Sequence, residues 1–400
     1  MDLSYSQEHE DFRQEVQNFL SDNWPLEGAE AELPRQEQDA RFRERAIERG
    51  YLARPIPRKY GGSEQTPEVL KGTIIREEFG RVGAPRDPGV PHAQIVPTLL
   101  SHGSEWQKER LIPPTLRGRL LWCQGYSEPG SGSDLASVQT RAERVGDEWV
   151  INGQKIWTSD AHEAEMMYLL CRTDPDAPKH AGMSYLLLRM DQPGVEVRPL
   201  EQMDGGAHFS EVFFDDARTP ADHIVGKRGE GWIVSRSTLH AERNVVGNVT
   251  LVRRHLDSLL RLARASVRDG RPAIADPLVR QRLVELEGYV TAQEYSAYRQ
   301  LTCDARGENP GPGVIMNKLV STNIAQMAAK IGLDLIGEKG LSAPIGGRFG
   351  AAPETGAGWV ARYMAARSTA IAGGTSNIQR NIIGERGLGL PRDFAAQRHK

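Results

Sequence analysis

The spacing of apolar residues changes twice along the chain. Over residues 1–119 and again over 229–400, apolar residues recur every three or four positions, as on one face of a helix. Over residues 120–228 the period is two, and β-rich runs are separated by Pro-Gly and Gly-Gly pairs. The pattern predicts an α+β multidomain fold with three parts in order: an N-terminal all-α domain, a middle antiparallel β domain and a C-terminal helical bundle.

Helical signals in the first part begin at Ser6, which can cap a helix carrying Phe12, Val16 and Phe19 on one face. Further helical pattern is found at residues 37–49, 67–80 and 104–117. No nucleophile, metal cluster or Walker loop stands out here. The single histidines His92 and His102 are better explained as packing or loop residues than as ligands.

The middle part combines strands with one conspicuous short segment. The predicted strands are Met166–Cys171, Ser184–Met190, Val195–Val197 and Glu211–Phe214. Residues 149–159 contain Asn152-Gly153 between alternating apolar residues, a pattern typical of a β-hairpin with a two-residue turn. We therefore predict a hairpin centred on that pair.

The last part contains narrow apolar seams that predict long helices. One seam comprises Val245, Val249, Val252, Leu256 and Leu259, and another comprises Val320, Ile324, Met327 and Ile331. Leu283, Leu286 and Val290 begin a further helix between them. These helices predict a bundle.

Composition narrows the function classes. The 400 residues carry a net charge of −3 without a basic run, which argues against a nucleic-acid partner. The start of the sequence lacks a signal-peptide pattern, and no apolar run approaches the roughly 18 residues that span a bilayer. We expect a cytoplasmic protein with no membrane partner. The spacing of Cys123, Cys171 and Cys303 predicts neither disulfides nor a zinc site, and no metal is expected.

Residues 122–137 contain three glycines, a proline and several hydroxyl side chains between two patterned regions. Gly130 and Gly132 permit close approach by a ligand, and serine hydroxyls suit phosphate or a polar ring edge. By composition alone a Ser/Gly linker is the favoured interpretation. A nicotinamide-binding Rossmann domain is excluded, because the loop does not open a βαβ unit.

Two motifs together resemble the flavin site of the acyl-CoA dehydrogenase family: Ser-Glu-Pro-Gly-Ser-Gly-Ser-Asp at 127–134 and Asn-Gly-Gln-Lys-Ile-Trp at 152–157. A third, Gly-Gly-Thr-Ser-Asn-Ile-Gln-Arg at 373–380, is similar to the family's C-terminal signature. The resemblance runs from about Phe12 to Arg392. It implies FAD as cofactor, an acyl-CoA substrate and an electron-transfer flavoprotein as partner. It also implies a homotetramer or dimer, or a heterotetramer with a related chain.

The resemblance also implies a set of FAD contacts. Trp157 is expected against the ring, and Ser133 is expected to touch the acyl-CoA as well. Two positions depart from the family pattern, since Ser266 replaces an arginine and Asp334 replaces a glutamine; Arg268 is a candidate substitute near the adenine end. The implied cofactor residues are Gln124, Ser127, Ser133, Trp157, Thr158, Ser159, Asp334, Gly337, Thr375 and Asn377.

The catalytic base cannot be where most of the family carries it, because that loop position is Gly373. A minority branch, including isovaleryl and long-chain enzymes, carries the base in a helical Leu-x-x-Glu-Arg pattern. Here residues 239–243 read Leu-His-Ala-Glu-Arg, so Glu242 is the implied base and Leu239 and Arg243 the implied substrate contacts. The Gly373 N–H is the implied donor to the thioester oxygen. Glu128 is a rival carboxylate that Pro129 suits better to shaping a turn.

Periodicity gives weaker support for Glu242. The residue shares a helical seam with Leu239, Val245 and Val249, where a carboxylate is costly unless it is paired or functional. The alternative is a helix glutamate that turns out to solvent. Competing functions are a flavin monooxygenase or desulfinase on the same fold, or one subunit of a heteromeric acyl-CoA dehydrogenase. The missing side chain at Gly373 further predicts a branched, cyclic or bulky acyl group.

Overall fold

The computed structural model describes residues 5–86, 88–246, 249–308, 311, 313–341 and 356–391. The chain divides into two compact units. The first comprises Met1–Pro199 with Phe209–Glu242, and the second comprises Leu200–His208 with Arg243–Lys400. Helices, then strands, then helices follow one another along the chain, which confirms the predicted α+β fold. Among the described helices, none is long and apolar enough to cross a membrane.

The first unit begins with helices whose apolar faces form one core. Val16, Leu20, Phe42 and Phe79 are almost fully buried in it. Ser6 precedes the first helix as predicted, but its hydroxyl lies 2.6 Å from Nδ1 of His9 rather than on a backbone N–H. The helices are α1 (Gln7–Asn23), α2 (Arg35–Glu48), α3 (Val69–Val82), α4 (Val90–His102) and α5 (Glu105–Arg117).

Helix α4 was not predicted from the sequence. It contains Pro97 in its interior and Pro91 in its first turn. Proline disfavours a helix interior, so the local pattern argues against a helix here. Burial of Ile95 and Leu99 against the sheet compensates for the lost backbone hydrogen bond.

The sheet of the first unit has eight strands. Its main path runs β6-β7-β3-β2-β4-β5-β8, and β1 pairs with β4. Most pairs are antiparallel as predicted, while β1–β4 and the single pairing of Arg141 with Arg172 are parallel. The strands are β1 (Trp122–Gly125), β2 (Arg141–Val145), β3 (Glu148–Ser159), β4 (Met166–Arg172), β5 (Met183–Arg189), β6 (Val195–Leu200), β7 (Phe209–Pro220) and β8 (Ile224–Val225).

The predicted hairpin at Asn152-Gly153 is wrong. These residues lie inside the continuous strand β3, and the turn instead joins β2 to β3 at residues 146–147. Gly153 lies at a shift in register between β3 and β7. Its φ is +144°, an angle that only glycine adopts readily. The Asn152 amide donates to the Asp216 carboxylate at 2.9 Å, so it serves a cross-strand contact rather than a turn.

Polar contacts join the helices of the first unit to its sheet. The Gln107 amide donates to the backbone oxygens of Asp222 and Ile224, at 3.0 and 2.9 Å. The hydroxyl of Tyr168 on β4 donates to the Gln94 side chain on α4. Because these groups are buried, the contacts satisfy polar atoms that would otherwise be costly.

Helix α6 (Gly231–Val246) follows the sheet, and the division between the two units falls within it. The second unit is a helical bundle whose core includes Leu256, Leu286, Ile324 and Trp359. The predicted seam at 320–331 is confirmed, and so is the 252–259 part of the other seam. Val245 lies on α6 instead, and the side chains of Val245 and Val249 are outside the described residues. A short strand pair turns at Asp269-Gly270, where both φ angles are positive. Its elements are α7 (Val249–Ala265), β9 (Val267–Arg268), β10 (Arg271–Pro272), α8 (Pro277–Arg306), α9 (Gly313–Ile336), α10 (Gly356–Ser368) and α11 (Ser376–Ile382).

Candidate functional site

In the first unit, the loop that follows β1 is closed by one carboxylate. Glu128 Oε2 accepts a hydrogen bond from the Gln139 N–H at 2.6 Å, and Oε1 accepts one from the Thr140 N–H at 2.9 Å. The backbones of Glu128 and Ser131 also bond to each other in both directions. Residues 129–138 therefore form a compact loop whose two ends are held at the same side chain.

A fully buried lysine on β3 holds this carboxylate. Lys155 Nζ lies 2.8 Å from Glu128 Oε1 and also donates to the backbone oxygens of Tyr126 and Leu170, at 2.9 and 2.7 Å. All three donors of the ammonium group are thus used. The Ile156 N–H donates to the Ser127 oxygen at 2.9 Å, which adds a second link between the loop and β3.

The environment of this pair shifts both pKa values. Burial raises the pKa of Glu128, but the Lys155 ammonium and the two backbone N–H donors outweigh it, so the pKa lies below its usual value. Burial lowers the pKa of Lys155 despite the neighbouring carboxylate. Because its oxygens are already occupied by donors, Glu128 is poorly placed to accept a substrate proton. The geometry therefore favours the interpretation of Glu128 as a residue that shapes the turn.

Trp157 lies on a bulge two residues after Lys155. The register of β3 against β7 shifts between Lys155 and Thr158, and Trp157 has a φ of +62°, a region that residues other than glycine rarely adopt. The residue is 59% exposed, and its ring is nearly perpendicular to that of Phe209, with the ring centroids 6.1 Å apart. A strained backbone that presents a large exposed indole is typical of a functional position.

Two buried hydroxyls lie beside the bulge. Thr158 on β3 pairs directly with Ser210 on β7, so their side chains are on the same face of the sheet. Both side chains are fully buried, and neither hydroxyl has a hydrogen-bond partner within the described residues. Trp157 and Thr158 thus differ sharply in exposure although they are consecutive.

The remaining candidates of the first unit differ in accessibility. Gln124 is partly buried on β1 opposite Tyr168, Ser133 is exposed in the loop, and Ser127 and Ser159 are partly buried. Leu239 on α6 packs against the core between the helices and the sheet. Glu242 and Arg243 lie near the end of α6, and their side chains are outside the described residues.

In the second unit, the turn before α11 carries the C-terminal candidates. Gly373 and Gly374 have φ values of +65° and +97°. Thr375 caps α11 by accepting the Ile378 N–H at 3.3 Å, and the side chain of Asn377 accepts a bond from Arg380 at 3.3 Å. The structure therefore brings these candidates together at one helix start.

Two buried side chains hold this turn in place. Lys318 on α9 donates to the Gly374 oxygen at 2.7 Å, and the Gln379 amide donates to the Gly373 oxygen at 3.0 Å. Lys318 and Gln379 are 3% and 1% exposed. With its carbonyl so engaged, the Gly373 peptide has a fixed orientation.

Asp334 and Gly337 lie at the end of α9. Arg282 Nη2 contacts the Asp334 carboxylate at 2.8 Å, and Arg268 donates to the Asp334 backbone oxygen at 2.7 Å. Gly337 has a φ of +54°. The two departures from the family pattern are thus physically linked, because Arg268 lies two residues after Ser266 and contacts Asp334.

Sequence reasoning missed the residues that support the candidates. Lys155 belongs to the motif at 152–157, but no role was predicted for it. The available signal was its place in a β segment of alternating apolar residues. Lys318 and Gln379 gave no such signal, because polar residues on helices are usually solvent-exposed. Within the described part of the chain, no group of three or more side chains is suited to hold a metal ion, and the three cysteines are free.

Comparisons with known proteins cover most of the chain. Three family profiles match it: acyl-CoA dehydrogenase, N-terminal domain, over residues 6–119; the middle domain over 123–217; and the C-terminal domain over 229–388. A relative from Mycobacterium tuberculosis named acyl-CoA dehydrogenase IpdE1 is 39% identical over 97% of this chain and 99% of its own length.

Solved structures of similar proteins agree with this match. A structure titled Tcur3481-Tcur3483 steroid ACAD superposes with a TM-score of 0.78 at 27% identity, covering 98% of this chain and 100% of that one. The ChsE4-ChsE5 complex from Mycobacterium tuberculosis gives a TM-score of 0.77 at 27% identity, with the same coverage. Sequence and structure therefore point to one family.

Proposed function

This chain belongs to the acyl-CoA dehydrogenase family, and on that premise we propose that it removes hydrogen from the α and β carbons of an acyl-CoA thioester, using FAD and Glu242. Family membership makes it an oxidoreductase that acts on acyl-CoA, and the family binds FAD. We also propose a catalytic base, a class of acyl group, an electron acceptor and an assembly.

The observation that carries the proposal is the exposed indole of Trp157 on its bulge, in a strand whose preceding residues Lys155 and Ile156 bond to Glu128 and Ser127 at the start of the loop. An exposed aromatic face beside serine hydroxyls and glycine backbone suits a flat ring with polar edges. FAD, when bound, supplies a hydride acceptor to the substrate's β carbon. Trp157, Ser127, Ser133, Ser159 and Gln124 would hold it, and Thr158 would contribute through its backbone because its side chain is buried.

The proposed cofactor set also includes four candidates in the second unit, where the Gly337 and Thr375 segments resemble those that complete a neighbour's cofactor site. Thr375 and Asn377 lie at the start of α11, where backbone N–H groups favour polar or anionic groups. Asp334 and Gly337 lie at the end of α9, and the Arg268 contact to Asp334 supports Arg268 as the substitute at the adenine end.

Proton removal is assigned to Glu242. Its carboxylate would accept the proton from the substrate's α carbon, since the other carboxylate of the candidate site, Glu128, is occupied by Lys155 and two backbone N–H groups. The Gly373 N–H would donate to the thioester oxygen and stabilise developing negative charge. Leu239 and Arg243 would border the substrate.

We expect a branched, cyclic or bulky acyl group. Gly373 has no side chain at the position where most family members carry the catalytic glutamate, so more room is available there. One similar structure is titled a steroid ACAD, which is consistent with a polycyclic substrate. Electrons are proposed to pass to an electron-transfer flavoprotein.

The test combines FAD reconstitution with anaerobic flavin reduction by a panel of straight, branched and polycyclic acyl-CoA thioesters. Glu242→Gln should bind FAD and ligand normally but reduce flavin roughly 10² to 10⁴ times more slowly. Glu163→Gln, which alters an exposed glutamate, is the control and should reduce flavin at the wild-type rate. Failure to take up FAD, or near-normal reduction by Glu242→Gln, would contradict the cofactor or the base respectively. Fastest turnover on a straight-chain thioester would contradict the proposed acyl group.

A heteromeric assembly is the second candidate. The titles of two similar structures each name a pair of different chains, Tcur3481-Tcur3483 and ChsE4-ChsE5. If this chain also works in such a pair, it would be the partner that carries the flavin loop and the base. Co-expression with a related chain, followed by purification through a tag on only one of them, distinguishes a heterotetramer from a homotetramer.

A further inference from the structure

The buried Lys155–Glu128 pair is not explained by stability alone. Both side chains lie in the interior of the first unit, where the cost of removing two charges from water offsets most of their attraction. Apolar residues of similar size often stabilise a fold as well as such a pair does. A specific structural task is therefore the more informative explanation.

The pair connects three separate segments of chain. Lys155 bonds to the start of the loop through the Tyr126 oxygen and Glu128, and to β4 through the Leu170 oxygen. Glu128 in turn bonds to the end of the loop through the N–H groups of Gln139 and Thr140. One side-chain pair thus fixes where the loop begins, where it ends and how it lies against the sheet.

The same pair adjoins the strained tryptophan. Trp157 follows Lys155 by two residues, and its positive φ persists only if neighbouring groups over-determine the backbone. The Ile156 N–H, between the two, bonds to the Ser127 oxygen. Loosening Lys155 would release both the bulge and the loop.

We propose that Lys155 and Glu128 are positioning residues that form a clasp, which holds the 129–138 loop and the Trp157 indole in the arrangement that binds the flavin. The inference rests on the proposed function, because it takes FAD as the ligand. Neither residue touches the reacting atoms. The clasp acts by preorganisation: the loop and the indole are ordered before the cofactor arrives, so binding does not have to order them.

The decisive variant is Lys155→Met with Glu128→Gln, which removes the clasp without leaving an unpaired buried charge. The matched control is Arg13→Met with Glu78→Gln, which removes an ion pair of 2.7 Å between α1 and α3. For each protein we would measure the melting temperature, the Kd for FAD by titrating the apoprotein, and the quenching of bound-flavin emission. Chymotrypsin cleavage of the apoprotein after Leu135 reports the loop without any cofactor.

If the clasp positions the site, the two double variants melt at similar temperatures, but only the Lys155/Glu128 variant binds FAD about tenfold more weakly. Its bound flavin is also less quenched, because the Trp157 indole is no longer held against it. Its apoprotein is cleaved after Leu135 faster than either the wild type or the control. An FAD affinity and a cleavage rate equal to those of the control would overturn the proposal.

The test also remains decisive if the double variant does not fold or if the wild type takes up no FAD. If the double variant does not fold, Glu128→Gln alone carries the test, since it keeps a hydrogen bond to Lys155 but weakens the closure of the loop. Weaker FAD binding by that variant supports the clasp, and wild-type affinity overturns it. If the wild type itself takes up no FAD, the proposed function fails, whereas faster or unchanged cleavage after Leu135 still decides whether the clasp orders the loop.

Discussion

Buried histidines make the stability of this chain depend on pH, and His92 is one of them. Burial lowers the pKa of His92 from 6.5 to about 4, although its Nε2 lies 3.1 Å from the Leu120 oxygen. Since the folded pKa is below the unfolded one, the unfolded chain binds more protons between these two values. The stabilising contribution is therefore complete above pH 6.5 and is lost as the pH falls towards 4.

His92→Gln should remove this pH-dependent contribution to the free energy of unfolding. Between pH 7.5 and 4.5, the free energy of unfolding of the wild type should fall by on the order of 2 to 3 kcal/mol more than that of the variant. Urea denaturation at each pH measures this difference. His255, whose pKa is also lowered to about 4 by burial, remains in both proteins and cancels from the difference. His162→Gln is the control at a less buried position, and equal pH profiles for wild type and His92→Gln would contradict the assignment.

Gly373 has a backbone conformation that limits which side chains can replace it. Its φ of +65° is unfavourable for residues other than glycine by roughly 1 kcal/mol or more. We therefore expect Gly373→Glu to lower the melting temperature and to fail to restore flavin reduction in a Glu242→Gln background. Stopped-flow reduction is the measurement. Recovery of a substantial rate would show that a carboxylate at this position can reach the substrate despite the strained backbone.

At the scale of elements, strand β3 depends on one glycine. A Cβ on Gly153 would lie 2.7 Å from both Cα and Oγ1 of Thr140, and the φ of +144° would strain any other residue. Gly153→Ala should therefore destabilise the first unit by roughly 2 kcal/mol or more and weaken FAD binding, because Lys155 and Trp157 lie on the same strand. Thermal unfolding and FAD titration test both effects.

Gly130→Ala is the matched control for the stability measurement alone, because Gly130 lies in the proposed flavin loop. A Cβ there would meet nothing within 4 Å. We expect a change in stability within about 0.5 kcal/mol, as for ordinary exposed substitutions. If Gly153→Ala behaved like this control, the bulge would not depend on glycine.

The same elements show how far periodicity alone carries a prediction. The long helices α8 and α9 were predicted because their apolar spacing repeats over several turns, whereas strands β4 and β5 were predicted from continuous β-rich apolar runs. Helix α4 was missed because its prolines argue against a helix more strongly than its apolar spacing argues for one. Its structure depends on burial against the sheet, which the local sequence does not report. Asn152-Gly153 was misassigned because glycine with a positive φ occurs both in bulges and in hairpin turns.

The candidate site was predictable only in part, for a related reason. Trp157 and the 127–134 loop were found because their motifs are contiguous in sequence. The clasp between Lys155 and Glu128 joins residues 27 positions apart, and the support of Gly374 by Lys318 joins residues 56 apart. Contacts of that range follow from the folded sheet and bundle, so no local pattern reports them. The roles assigned to all these residues remain predictions.

At the scale of the whole molecule, the order of helical and β regions was predicted correctly, whereas the boundaries at residues 119 and 228 remain predictions. The period changes from 3.6 to 2 and back over more than a hundred residues each time, which makes the order of regions a strong signal. A boundary depends on a few linker residues, and their sequence is far less constrained by the core.

Helix α8 exposes apolar residues on the side opposite its core face. Val284, Tyr295 and Tyr298 are each about half exposed or more, whereas Leu283 and Leu286 are buried. Tyr295 and Tyr298 follow Val284 by eleven and fourteen residues, close to three and four helical turns, so the three share one face. Tyr295 and Tyr298 contact each other with ring centroids 6.2 Å apart, and tyrosine is enriched at protein interfaces. We therefore expect α8 to take part in the predicted assembly.

Light scattering should give a tetramer of 44.3 kDa chains, about 177 kDa in total, for this chain alone or together with a related chain. Tyr295→Glu with Tyr298→Glu should reduce that mass, because charges on a buried apolar face are costly to desolvate. Val145→Glu, which alters a residue 55% exposed on β2, is the matched control and should leave the mass unchanged. Since the Gly337 and Thr375 segments resemble those that complete a neighbour's cofactor site, dissociation should also lower FAD occupancy. A monomeric wild type that retains full flavin occupancy would contradict both the assembly and the shared site.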